Sequence, residues 1–290
     1  MRYVIGLGGN AIIGKGSLAR ICRYAAELYR SGNDVMIVHG NGPEVGALSS
    51  LENKSLAILT AQTQAEIGIE ISDKIDSFLG VKSAQKAAIV ITRVVVKEHD
   101  SEFTNPSKPI GRFLSKGEAI RLKERGFCIK KLIHGYRRVV PSPMPLDIVE
   151  LKQIEDLLDS KHIVIAAGGG GISVFKTKYG FGLANAVVDK DYTSSLLAIK
   201  TRADRLVLLT NVDGAFVNFA SKESRLIREV SSSELRALVK AGHFEKGSML
   251  PKVMACLNFT EKTGKIAVIG NLSRPERVFR EKMGTVIVPV

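Results

Sequence analysis

Three kinds of feature in this chain suit chemistry on an anion. Asp189-Lys190-Asp191 stands just before the helical run TSSLLAIK, which puts carboxylates and an ammonium group at a helix entrance. A carboxylate there can cap the helix, the plainer role for Asp191, or organise cations and a metal. GSMLPK (247–252) puts Lys252 in the first turns of another helix, where the dipole disfavours a cation unless an anion such as phosphate is its partner. Glycine turns are the third feature: Gly8-Gly9-Asn10, His39-Gly40-Asn41-Gly42 and residues 168–171 each follow an apolar, β-branched run. Glycine lets the backbone approach an anion and lets successive amides point at it. Cations and amides around dispersed negative charge are what phosphoryl transfer needs, with little covalent chemistry from the protein.

Two familiar phosphate motifs nearly fit and fail. Gly6-Leu7-Gly8-Gly9-Asn10-Ala11 matches G-x-G-x-x-A, but the next strand ends in His39-Gly40, with no acid for a ribose hydroxyl. Gly9 to Lys15 reads G-x-x-x-x-G-K, yet Gly16 stands where a Walker loop needs Ser or Thr for magnesium, and Ser17 comes one place late.

The elements that must position these residues alternate in kind. RYVIGLG (2–8) and DVMIVHG (34–40) read as strands, followed by helices over about 17–31 and 56–79. AAIVITRVVV (87–96), HIVIAAGGGG (162–171), RLVLLTNVDG (205–214) and KIAVIG (265–270) are further strands, and TVIVPV near the C-terminus reads as a last, edge strand. The pattern predicts βαβ units and a mainly parallel sheet whose carboxyl ends line a shared crevice. One stretch breaks the rhythm. Between Lys97 and Glu150, prolines at 106, 109, 141, 143 and 145 rule out a simple crossover helix. An insertion of this length inside an α/β unit suits a lid over a site.

Composition narrows the class. The chain has 290 residues, 45% hydrophobic and 24% charged, enough for a large core and unlike a disordered or fibrous protein. No signal peptide or membrane-length apolar run is evident. Cys22, Cys128 and Cys256 are odd in number and far apart, which predicts free thiols and a cytoplasmic location. The net charge of +13 is spread along the chain, Trp is absent, and no aromatic stacking motif accompanies it. It therefore points to anionic small molecules and not to nucleic acid or a membrane.

GLGGNAI (6–12), VHGNGPEVG (38–46), FTNPSKPIGRF (103–113), GYRRVVPSP (135–143), AAGGGGISV (166–174), AVVDKDYTSSLLA (186–198), LTNVDGAFVNF (209–219) and GSMLPK occur in this order through nearly the whole chain. Together they resemble the carbamate kinases of the amino-acid kinase family. The resemblance implies a three-layer αβα sandwich with a small protruding subdomain at about 97–145. It implies an acceptor-binding lobe over 1–185, a nucleotide-binding lobe over 186–290, and a homodimer serving arginine metabolism. Gly8, Gly9, Asn10, Gly40, Asn41 and Gly42 fall where the family holds carbamate or the transferring phosphate. Lys190 and Lys252 fall at lysines that neutralise the phosphoryl group, Asp191 at a carboxylate that orients them, and Lys108 at a lysine on the lid. Asn211, Asp213, Phe216, Met249 and Lys252 fall beside the nucleotide. The implied reaction is reversible transfer between carbamoyl phosphate and ADP, giving ATP and carbamate. Mg²⁺ would be held by the nucleotide phosphates and water, with no protein metal site.

Gly6 marks the branch, because many other amino-acid kinases carry lysine there. Glu44, Arg93 and Tyr136 depart from the family's usual Gln, Gln and Trp, and Glu44 adds negative charge beside an anion-binding turn. Another amino-acid kinase with a small carboxylate or phosphate acceptor, and a nucleotide-binding sensor without turnover, are the alternatives. Intact Lys108, Lys190, Asp191 and Lys252 speak against the sensor.

Overall fold

The computed structural model describes residues 1–8, 15–80, 86–132, 135–219, 223–245 and 247–290. β1 (Arg2–Leu7), α1 (Lys15–Arg30) and β2 (Asp34–His39) follow the expected rhythm. Next come α2 (Gly42–Leu51), α3 (Leu56–Leu79), β3 (Ala87–Val90) and β4 (Arg93–Val95). The helix read over 56–79 runs between those same bounds, from a Ser55 cap to Gly80. The Pro-rich excursion contributes β5 (Lys108–Leu114), α4 (Lys116–Glu124), β6 (Ile129–Leu132) and β7 (Gly135–Val140). The chain then returns through β8 (Asp147–Ile148), α5 (Leu151–Asp159) and β9 (Ile163–Ala166) to β10 (Ile172–Thr177) and β11 (Gly180–Leu183). The remainder is α6 (Lys190–Lys200), β12 (Arg205–Thr210), β13 (Phe216–Val217), β14 (Arg225–Leu226), β15 (Glu229–Ser231), α7 (Ser232–Lys240), α8 (Met249–Thr263), β16 (Ala267–Asn271), α9 (Pro275–Phe279) and β17 (Thr285–Val288).

The large sheet has the order β15-β17-β16-β12-β1-β2-β9-β3 and is parallel at every pairing except β16 with β17. Alternation along each strand divides the core between its two faces. Val4, Met36, Val38 and Leu208 pack with Ile154 of α5, Leu197 of α6 and Val253 and Leu257 of α8. Ile5, Leu7, Ile37 and Val207 pack on the other face with Leu18 and Ile21 of α1, Ile67 and Ile71 of α3, and Val278 of α9. This is the expected three-layer αβα sandwich.

Two sequence readings are corrected. The run at 87–96 is two strands in different sheets: β3 pairs with β9, while β4 joins the sheet β11-β10-β4-β8. Thr92 turns the corner because the buried Gln64 side chain brackets it, accepting from its N–H at 2.8 Å and donating to its carbonyl at 3.1 Å. The C-terminal TVIVPV strand is not the edge. β17 lies between β16 and β15, and β15 takes the edge. No apolar pattern announces β15, because Glu229 and Ser231 face away from the buried Val230.

The excursion folds as a small antiparallel sheet, β5-β7-β6, with α4 beside it. A capping box of Ser115 and Glu118 starts α4. The subdomain leaves from β4 and returns to β8, which pair antiparallel through Val94 and Ile148, so its base is a narrow neck. No helix of the described residues is long and apolar enough to cross a membrane.

Candidate active site

Parallel pairing brings the carboxyl ends of β2, β1 and β12 side by side. A cavity of about 380 Å³ opens there. Gly8, Gly40, Asn41, Gly42, Gly169, Lys190, Asp191, Asn211 and Lys252 line it from the sandwich, and Lys108 and Arg137 line it from the subdomain.

The cation cluster is built on the entrances of two packed helices. Asp189, and not Asp191, is the N-cap of α6: its Oδ1 accepts from the Asp191 amide at 2.9 Å. The plain cap reading of Asp191 is thereby overturned. Its carboxylate is free to hold lysines, with Oδ1 receiving Lys190 Nζ at 2.5 Å and Oδ2 receiving Lys252 Nζ at 2.9 Å. Lys252 is in the first turn of α8, as expected, and also donates to the Ser248 carbonyl at 3.4 Å. The second oxygen of Asp189 receives Lys108 Nζ, which ties the subdomain to the α6 entrance.

All three residues of the Lys190–Asp191–Lys252 cluster are nearly buried. Burial alone would raise the Asp191 carboxyl, but the Lys190 and Lys252 ammonium groups outweigh it and hold the group far below the ordinary carboxylate range. Burial pulls Lys190 down, and the Lys252 charge adds to that pull against the attraction of Asp191. Burial also opposes the charge on Lys252, yet Asp191 and Asp189 together keep its pKa raised. The cluster is a carboxylate shared between cations, with the ammonium groups facing the cavity.

The glycine turns divide the work less evenly than expected. The amides of Gly8 and Gly40 bond the carbonyls of Leu209 and Leu7, and those of Gly170 and Gly171 bond Ala167 and Gly168. Those four donors are not aimed at an anion. The amides of Asn41, Gly42 and Gly169 have no partner among the described residues, and Gly42 opens α2, so its helix dipole adds positive potential. The glycines at 168–169 answer a packing need. A Cβ on Gly168 would stand 2.1 Å from His39 Nε2, and one on Gly169 would stand 2.2 Å from Asn41 Nδ2. His39 is buried beneath this loop. Desolvation lowers its pKa to about 4 against the partial support of Gly40 and Gln64, so the ring is neutral near pH 7. Asn41 is fixed from behind, donating to Thr63 Oγ1 at 2.9 Å.

A second pocket of about 220 Å³ shares Thr210, Ser248 and Lys252 with the first. Its other walls include Val212, Phe216, Phe219, Phe244 and Met249, an apolar slot of a size and chemistry suited to a planar base. Phe216 and Met249 both line this slot, and Asn211 lines the neighbouring cavity. Asp213 lines neither pocket. It accepts from Asn271 Nδ2 at 2.9 Å at the end of β16. Gly9 and Asn10, and the side chain of Lys15, lie outside the described residues.

Two participants escaped the sequence reading. One is Asp189 as the anchor of Lys108. The other is Arg137, which lines the cavity from β7, donates from Nη2 to the Gly111 carbonyl at 2.6 Å, and keeps a buried Nε with no hydrogen-bond partner among the described residues. Strand alternation between Arg137 and Arg138 was the available signal, since only one of two adjacent strand residues can face the cavity. Glu44 is less intrusive than its sequence position suggested. It lies outside the cavity lining, and burial raises its carboxyl pKa with help from Glu66 and Glu70 of α3. Gly6 has a local cause as well: a Cβ there would stand 2.5 Å from the Leu208 side chain. Among the described residues no group of three or more His, Cys, Asp and Glu converges on a metal position.

Residues 1–271 match the amino acid kinase family. The chain is 38% identical to a carbamate kinase of Thermoplasma volcanium over 100% of both sequences, and 39% identical to carbamate kinase 3 of Staphylococcus aureus over 99% of both. Among solved structures it is similar to a Giardia lamblia carbamate kinase bound to AMP-PNP, with a TM-score of 0.85 and 34% identity over 100% of this chain and 98% of that one.

Proposed function

The chain belongs to the amino acid kinase family, in its carbamate kinase branch, and from that premise we propose how its own residues carry the reaction. The reaction is reversible phosphoryl transfer between carbamoyl phosphate and ADP: the bond from phosphorus to the carbamoyl oxygen breaks, a bond to the ADP β-phosphate oxygen forms, and carbamate and ATP result. The observation that carries the assignment of roles is the convergence of Lys108, Lys190 and Lys252 on one cavity that adjoins an apolar slot.

In this reading Lys190 and Lys252 neutralise the equatorial oxygens of the phosphoryl group in flight, and Asp191 holds both at fixed positions before substrate arrives. The amides of Asn41, Gly42 and Gly169, without a partner among the described residues, bind carbamate or the phosphate beside it. Gly8 and Gly40 complete that acceptor wall, and Gly9 and Asn10 keep the acceptor role that the family resemblance gives them. Phe216 and Met249 receive the base, and Asn211 and Lys252 follow the nucleotide phosphates toward the acceptor. Asp213 contributes indirectly, through Asn271 at the end of β16. The acceptor-binding lobe is residues 1–185 and the nucleotide lobe 186–290, with the sheet continuous between them through β1 and β12.

Residues 97–145 act as a lid. Lys108 and Arg137 arrive with it and close the cavity against water. Mg²⁺ fits as a passenger of the nucleotide. The carboxylates of the cavity lining, Asp189 and Asp191, are engaged by Lys108, Lys190, Lys252 and an amide, so in this reading phosphate oxygens and water would hold it. Bound so, the metal would supply charge neutralisation between the phosphates. A cytoplasmic homodimer serving arginine metabolism completes the reading.

The decisive measurement is a coupled assay for ATP formed from carbamoyl phosphate and ADP, run beside ATP consumption with N-acetylglutamate as acceptor. Turnover with the first pair alone is expected. Faster turnover with N-acetylglutamate would place the acceptor specificity elsewhere in the family.

A further inference from the structure

A cavity of about 790 Å³, roughly twice the volume of the catalytic one, lies between α2 and the protruding subdomain. The reaction described above makes no use of it. Pro43 and Ile110 stand in the walls of both cavities, so the two are back to back. Between them α2 and β5 touch backbone on backbone. A Cβ on Gly46 would stand 2.1 Å from the Gly111 amide nitrogen and 2.2 Å from its Cα. β5 bends at this point: Gly111 has φ +68°, and the register with β7 shifts between Ile110 and Leu114.

That contact divides both elements in the same way. Gly42 of α2 and Lys108 of β5 lie on the catalytic side, while Ala47 and Leu51 of α2 and Arg112 and Leu114 of β5 lie on the far side. With no side chain between them to absorb a shift, a change in the gap on one side of the pivot is transmitted to the other.

The far side has the chemistry of a ligand site. Its floor is apolar and includes Leu51, which is 84% exposed, together with Leu122 and Phe127. Its charge is unbalanced. Glu118 is the one carboxylate in the lining and is already paired with Arg112. Arg125 and Arg138 both sit over the Phe127 ring, at 5.5 and 4.2 Å, and no carboxylate pairs with Arg121, Arg125 or Arg138 among the described residues. Arg138 is held in place by Ser49, donating to its Oγ at 2.9 Å. An apolar floor under uncompensated guanidinium groups fits an amphipathic anion: a ring or short alkyl body carrying a carboxylate, sulfonate or phosphate.

We propose that this groove is a second ligand site, for a small amphipathic anion, and that its occupancy is coupled through the Gly46–Gly111 contact to the placement of Lys108 in the catalytic cavity. The coupling is reciprocal: whatever factor the groove ligand imposes on carbamoyl phosphate binding, carbamoyl phosphate imposes on the groove ligand.

The probe is 8-anilinonaphthalene-1-sulfonate, titrated by fluorescence into the full-length protein with ADP saturating, so that the apolar nucleotide pocket is filled. Saturable binding is expected, weakened at least about tenfold in the Arg121→Ser/Arg125→Ser double variant, as loss of charge-assisted bonds predicts. Basal turnover of that variant should match the parent, because both residues are exposed and remote from the cavity. Carbamoyl phosphate should shift the probe's Kd, and the probe should change kcat in the parent but not in the double variant. Absence of saturable binding under ADP, or an unchanged Kd in the double variant, overturns the site. Saturable groove binding that leaves both kcat and the carbamoyl phosphate affinity unmoved overturns the coupling. These binding readouts stand whether or not carbamate is the acceptor.

Discussion

The two walls of the catalytic cavity deliver positive charge in different ways. On the sandwich side, Lys190 and Lys252 rise from helices packed against the sheet and share one buried carboxylate. On the subdomain side, Lys108 and Arg137 come from strands of a small sheet joined to the molecule by the narrow neck of β4 and β8. Lys108 is a quarter exposed, and among the described residues its ion pair is with Asp189. The first wall is preorganised, with its geometry already set by the core. The second depends on where the subdomain sits, which in the proposed reaction would suit charge brought to the phosphate and then withdrawn.

The largest effect should come from the preorganised wall. Lys190→Ala and Lys252→Ala are each expected to lower kcat roughly 10²–10³-fold, the usual loss for one fixed charge donor, with Tm nearly unchanged. Turnover close to the parent in either variant would remove that lysine from the site. Asp191→Asn sharpens the same contrast. It keeps the shape and leaves the Asp189 cap intact, but it removes the anion that keeps Lys252 charged. The variant should fold and turn over slowly, and the alkaline limb of its kcat profile should move to lower pH, because a lysine deprived of its counter-ion loses its proton sooner. An unshifted limb would mean that Asp191 does not set the charge of the cluster.

Lys108→Ala tests the other wall. A loss at the low end of the same range, about 10²-fold in kcat, is expected with ADP affinity nearly intact, since the nucleotide slot shares no subdomain residue. Equal losses in kcat and ADP affinity would show that the subdomain holds nucleotide as well and that the two walls are not separate devices.

The smallest of these effects concerns stability alone. His39 stays neutral in the fold with a pKa near 4, against 6.5 for the free side chain. As pH falls below about 6.5 the unfolded chain takes up a proton that the folded one refuses, so stability is lost between about 6.5 and 4, by roughly 3 kcal/mol in full. His39→Gln should flatten that part of a Tm-against-pH curve. An unchanged acid slope would show that the floor beneath the glycine loop is not sealed from water.

Much of this arrangement is legible in the amino-acid order alone. The apolar runs and glycine turns place the crevice, and Lys252 stands at the helix start where the sequence puts it. What stays hidden depends on distant partners. The run at 87–96 looks continuous until Gln64, on another helix, brackets Thr92. Asp189 and Asp191 both stand at the helix entrance in sequence, and their division, Asp189 to the cap and Lys108, Asp191 to Lys190 and Lys252, depends in part on lysines that arrive from 81 and 61 residues away. Asp213 sits among residues of the nucleotide wall in sequence, yet its side chain turns to Asn271.

By itself the sequence determined which residue types were available and which elements would form. Periodicity, capping and turn chemistry act over a few residues, and those interactions are written in adjacent letters. It also determined that a basic, glycine-rich crevice at the carboxyl ends of parallel strands would attract an anion. Only the tertiary structure decided how the groups are divided: which carboxylate caps and which holds lysines, which of the described glycine amides are bonded to backbone carbonyls, and which of Arg137 and Arg138 faces the cavity. Those choices turn on burial and on hydrogen-bond partners brought together across the sheet. The free energy of a buried charge depends on every group around it, and no window of neighbouring residues contains that information.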